Sequence, residues 1–101
     1  MKNYKIITLC GSTKFKKEFI EVNEKETLAG NIVLSVGIFG HSDKYQLTND
    51  QKEKLDNLHK KKIDLSDEIF VINKNGYIGD STKSEIEYAK NKNIKIRYLE
   101  D

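Results

Sequence analysis

The chain has no proline, a single cysteine and no long run of apolar residues, and each shortage excludes something. Without proline there is no rigid spacer, which fits one compact unit. A lone cysteine, Cys10, rules out an internal disulfide framework and makes a reducing cytoplasm the natural setting. The apolar runs are too short for a signal peptide or a membrane span, so no membrane partner is expected and a cytoplasmic location follows. Charge of one sign is not in excess either, since 18 Lys and Arg against 16 Asp and Glu leave a net charge of +2. With lysines and glutamates interleaved, that balance argues against nucleic acid as a partner.

What is present is a globular composition, with 37% hydrophobic and 34% charged residues in 101 positions. Residues 1–101 read as one domain, with no internal repeat, low-complexity tract or linker. A chain of this length lies near the lower end of what buries a self-sufficient core, so a homo-oligomer, a dimer or larger, is expected.

Apolar runs and helical spacing alternate along the chain. Residues 5–10 (KIITLC) form a short run ended by Gly11 and read as a strand buried on both faces. Phe15, Phe19 and Val22 then recur at helical spacing, predicting a helix over residues 13–29 that Gly30 closes. Residues 31–36 (NIVLSV) read as a second buried strand, and residues 37–48, with Gly37, Gly40 and His41, as a loop of the length usually kept for binding. Thr48, Asn49 and Asp50 offer caps for a second helix reaching Leu65, with Leu55, Leu58 and Ile63 inward and the Lys60 to Lys62 run solvated near its C-terminus. A third strand over 68–72 (EIFVI), a third helix over 82–93 and an alternating edge strand over 94–99 complete the chain. This pattern predicts a three-layer α/β fold, flavodoxin- or Rossmann-like, whose four-stranded parallel sheet has the order 2-1-3-4 and helices on both faces. Ligands in such sheets bind beyond the carboxyl ends of the strands where the chain reverses, which here brings Gly11-Ser12-Thr13 opposite residues 73–81.

Two stretches carry chemistry-bearing side chains. Gly11, Ser12, Thr13 and Lys14 combine a flexible turn, amides at a helix start, two hydroxyls and an ammonium, a set suited to an anion such as phosphate. Their other reading is a tight turn whose Ser12 or Thr13 caps the helix. Glu85, after Gly79, Asp80, Ser81 and Thr82, fits either a capping box with Thr82 or a carboxylate at the edge of the apolar face of Ile86 and Ala89, where a glycosidic nucleophile or general acid would sit. His59 falls among the apolar positions of the second helix and reads as a core histidine, His41 is free to reach a ligand, and Asp67 reads as structural at the wrong end of its strand. Cys10 reads as a buried structural thiol. No pair or cluster has metal-ligand spacing, so neither a metal nor a cofactor is expected.

Three segments resemble the nucleoside 2-deoxyribosyltransferase superfamily, including its deoxynucleoside monophosphate N-glycosidase relatives. They are Cys10-Gly11-Ser12 at the end of the first strand, residues 64–72 (DLSDEIFVI) and residues 81–89 (STKSEIEYA). The resemblance implies Glu85 as a nucleophile on the anomeric carbon of a 2-deoxyribosyl group, an acceptor base or water completing the double displacement, and an oligomer with shared sites. It also implies that Gly11, Ser12, Thr13 and Ser81 hold a nucleotide phosphate. His59 stands where the family carries an aspartate, and would orient a sugar hydroxyl or protonate the base. Glu87 replaces a family glycine, and the chain has four strands where five are common. The small-molecule partner expected is thus a nucleoside or nucleotide, cleaved or, in a non-catalytic module of the same fold, only bound. A protein that interacts without any small ligand is the third reading.

Overall fold

The computed structural model describes residues 4–101. Its sheet is built from β1 (Ile6–Gly11), β2 (Ile32–Leu34), β3 (Glu68–Ile72) and β4 (Lys95–Tyr98), all paired in parallel in the order β2-β1-β3-β4. Three helices connect them, α1 (Lys16–Leu28), α2 (Asn49–Asp64) and α3 (Asp80–Asn91). The order and the parallel pairing agree with the pattern of alternating runs.

Strand alternation divides the core into two apolar layers. Ile7 and Leu9 of β1 and Ile72 of β3 pack with Phe19 and Val22 of α1 on one face. Cys10, Ile69 and Val71 turn the other way, onto Ile63 of α2 and Ile86 and Ala89 of α3. One helix covers one face and two cover the other, giving the three layers. Among the described residues, no helix is long and apolar enough to cross a membrane.

Several boundaries differ from the sequence expectation for local reasons. The first helix begins at Lys16 and not at residue 13, because Ser12 Oγ accepts from Lys14 N and Thr13 Oγ1 accepts from the His41 amide, so neither hydroxyl caps it. Gly30 does stop that helix, at φ +95°, with its amide on the Thr27 carbonyl and that of Asn31 on Glu26. The second strand is shorter than expected and half-exposed, because β2 is an edge with one sheet neighbour. Thr48 and Gln51 form a reciprocal capping box at the start of α2, as the cap candidates there suggested. Leu58, expected inward, is exposed: Leu55, His59 and Ile63 recur every four residues and take the inward stripe, which puts Leu58 at a cavity rim. Lys62 departs from its solvated run, its Nζ donating to the Ser35 carbonyl at 2.6 Å.

At the amino ends of the strands a charged cluster ties α1 to the sheet. The Arg97 guanidinium donates to Glu26 Oε1 at 2.6 Å and to Glu68 Oε1 at 2.9 Å, above the Phe70 ring, while Lys5 Nζ donates to Glu68 Oε2 at 3.0 Å. Burial alone would raise the Glu68 pKa, but the hydrogen bonds from Lys5 and Arg97 outweigh it and hold the carboxyl below its ordinary value. Asp67 serves the same end, accepting from the Ile6 amide at 2.8 Å. Removing the Arg97 charge strands two buried carboxylates, although Asn31 and Lys5 still reach them. Arg97→Gln should therefore lower the unfolding free energy by roughly 2–3 kcal/mol in urea denaturation, somewhat less than the usual cost of breaking a buried pair. A change within about 0.5 kcal/mol, the scale of an ordinary surface substitution, would contradict this role.

Candidate functional site

The first link is the register of the two central strands, in which Gly11 faces Ile72 at their carboxyl ends. A Cβ on Gly11 would lie 2.9 Å from the Ile72 carbonyl oxygen, so the close approach requires glycine. Beyond this pair the chain leaves β1 toward α1 on one face and leaves β3 toward α3 on the other. The divergence opens a cavity of about 640 Å³, within the usual range for a small-molecule site.

Its walls come from four segments. The turn after β1 supplies Gly11, Ser12 and Thr13, and the long loop after β2 supplies Val36, Gly37, Ile38, His41 and Leu47. From α2 come Leu55, Asp56 and His59, and from the start of α3 Gly79, Asp80, Ser81, Thr82 and Glu85. The residues that the sequence offers for ligand binding or catalysis thus meet around one cavity, with one exception. Lys14 does not line it, and its ammonium instead lies 3.5 Å from the centre of the Tyr77 ring, a cation–π contact on a residue that does line it. Tyr77, Asp56, Lys52 and Lys62 are lining residues that the sequence reading missed, because nothing in their local pattern separates them from ordinary surface positions.

The capping question is settled by the helix start. Gly79 is the N-cap of α3, in extended backbone and without a side-chain cap, so Thr82 lies inside the helix and forms no capping box with Glu85. The first amides of α3 therefore reach the cavity wall without a side-chain acceptor. Thr82, Glu85, Ile86 and Ala89 form the inward stripe of the helix. A carboxylate in that stripe is a departure from apolar patterning, and Glu85 is only 8% exposed.

Glu85 lies against Cys10 and His59. Burial drives its pKa up to about 7; the Cys10 thiol, which donates to the carboxylate, pulls the other way, the Asp56 charge adds to the rise and Lys60 opposes it. The Cys10 thiol is itself held well above its ordinary range, by burial first and then by Glu85. His59 Nε2 lies 3.9 Å from Glu85 Oε1, too far for a hydrogen bond. Burial lowers the histidine to about 4, helped by Lys62 and opposed by a backbone hydrogen bond to Leu9, so the imidazole is neutral at pH 7 and the pair is not an ion pair. Among the described residues, His59 Nε2 is the one buried side-chain nitrogen or oxygen without a hydrogen-bond partner. The burial of Cys10 agrees with a structural thiol, whereas its meeting with His59 and Glu85 is a tertiary contact that no spacing announces.

A parallel α/β domain with a poised carboxyl group at its switch-point crevice is the class that this geometry defines. The chain matches no protein-family model and no curated protein.

The two titrating groups act on stability in opposite directions. Between the ordinary pKa of 4.5 and the folded value of about 7, the folded chain keeps a Glu85 proton that the unfolded chain has released, so this group's stabilising contribution is lost as pH rises through that window. Below its ordinary 6.5 and down to about 4, an unfolded chain protonates His59 while the folded one does not, so the His59 contribution is lost as pH falls. Glu85→Gln removes only the first effect. The stability of the variant relative to the native chain should grow by up to roughly 3 kcal/mol between acidic and mildly alkaline pH, measured by urea denaturation in a pH series. A difference that stays flat across the series would contradict the burial of this carboxyl.

Proposed function

We propose that the chain is an N-glycosidase or 2-deoxyribosyltransferase for nucleosides or nucleotides, with Glu85 as the nucleophile. The observation that carries the reading is a single buried arrangement: the Glu85 carboxyl forms part of a switch-point cavity that the Gly11-Ser12-Thr13 turn also lines. The resemblance in residues 10–12, 64–72 and 81–89 points the same way.

In this reaction the ionised Glu85 carboxylate attacks the anomeric carbon and forms the C–O bond of a glycosyl-enzyme, while the bond to the base breaks with its electron pair on the leaving nitrogen. The departing base takes up its proton from solvent water. Water or a second base then attacks the same carbon and releases Glu85. Neutral His59 accepts a hydrogen bond at Nε2 from a sugar hydroxyl, which gives this nitrogen its missing partner. The turn amides and the start of α3, with Ser12, Thr13 and Ser81, form the wall suited to a phosphate. Lys14, engaged with Tyr77, is left out of that set.

A non-catalytic nucleotide-binding module is the second reading, favoured by the uncharged state that burial imposes on His59 and, below pH 7, on Glu85.

A panel of deoxynucleosides and their monophosphates separates the two. Base release should appear for at least one compound and fall by more than roughly a thousandfold in Glu85→Gln. Because the nucleophile must be ionised, kcat/KM should rise about tenfold per pH unit below about 7 and level off above it. If no compound is cleaved at high enzyme concentration while one of them raises Tm by mass action, the binding module stands and the enzyme reading falls.

A further inference from the structure

The cluster of Cys10, His59 and Glu85 has a chemistry that glycosyl transfer does not use. A thiol, an imidazole nitrogen and a carboxylate oxygen, from β1, α2 and α3, lie within 4.8 Å of one another. All three residues are buried. Glycosyl transfer to Glu85 leaves Cys10 without a role.

We propose that Cys10 Sγ, His59 Nε2 and a Glu85 carboxylate oxygen bind one zinc ion, with the fourth coordination position open to the cavity. Zinc takes sulfur at about 2.3 Å and nitrogen or oxygen at about 2.0–2.2 Å in a tetrahedral shell, which sets its ligand atoms roughly 3.3–3.7 Å apart. The 3.9 Å between His59 Nε2 and Glu85 Oε1 is close to that spacing, and the three ligand atoms, within 4.8 Å of one another, must draw together to reach it. Mixed sulfur, nitrogen and oxygen donors select zinc over magnesium or calcium, which prefer oxygen alone.

The unpartnered histidine nitrogen is the second, independent observation. His59 is buried, and its Nε2 is without a hydrogen-bond partner. A buried imidazole nitrogen that is bare and lies beside a carboxylate and a thiol is available to ligate a metal. A thiolate and a carboxylate neutralise the dication, so the bound site carries no net buried charge. Three protein ligands beside an open cavity correspond to zinc sites that keep a position for water or substrate. The ion would occupy the Glu85 carboxylate and so block the nucleophile of the proposed reaction; that consequence rests on the glycosidase reading, whereas the metal site does not.

The probe is cobalt(II), followed by zinc, added to chelator-treated full-length chain without substrate. One equivalent of cobalt should give a thiolate-to-metal charge-transfer band in the near ultraviolet together with the visible bands of tetrahedral cobalt, and one equivalent of zinc should abolish both. The charge-transfer band should be missing in Cys10→Ser. Zinc affinity should fall at least about a hundredfold in His59→Gln and in Glu85→Gln, beyond what loss of an outer hydrogen-bond partner causes. Circular dichroism confirms that each variant is folded, and His59→Gln keeps the test decisive where Cys10→Ser is not. Absence of the thiolate band in the native chain, or zinc binding that is unchanged in His59→Gln and Glu85→Gln, overturns the site. The readout is spectroscopic and holds whether or not the chain cleaves any nucleoside.

Discussion

Parallel pairing of β1 with β3 is the constraint on which the rest of this structure depends. It runs from Ile7 opposite Glu68 to Gly11 opposite Ile72, and it ends where the two chains depart toward opposite faces of the sheet. A crevice at that point is a topological consequence and needs no special residue. What the residues add is its lining. Gly11 lets the strands approach to their ends, the uncapped start of α3 forms one wall, and the stripe of α3 that packs on the sheet carries Glu85 down beside Cys10.

Desolvation at that position decides the electrostatics. Of the effects acting on Glu85 burial is the largest, and the thiol, the nearby aspartate and the nearby lysine only adjust it. The same burial keeps His59 neutral, so the two groups sit 3.9 Å apart without forming an ion pair. At neutral pH the carboxyl is divided between its two protonation states. At the other end of the strands Glu68 shows the contrast: also buried, it stays ionised because Arg97 and Lys5 donate to it. Hydrogen-bond donors separate an ionised carboxylate here from one that burial keeps partly protonated.

Much of the fold was legible because local and global signals agree. Apolar runs such as Ile69 to Ile72, ended by irregular residues, can only be buried strands between helices, and the sheet order follows from the crossover rules. The loop glycines, Ser81 and Glu85 could be assigned to one crevice for the same reason. Where the reading failed, a tertiary partner had overridden a local preference. Thr13 accepts from a distant amide instead of capping α1, His59 displaces Leu58 from the inward face of α2, and Lys14 settles on Tyr77. The meeting of Cys10, His59 and Glu85 had no local signal at all, since each comes from a different element and only the packed sheet brings them together.

The central claim is that Glu85 is a buried carboxyl held near neutrality, and its titration tests this most directly. Carbon-13 NMR of the side-chain carboxyl resonances across a pH series should show one glutamate titrating at about 7, absent in Glu85→Gln. A spectrum in which every carboxyl group titrates below about 5, in the ordinary range for Asp and Glu, would contradict the account.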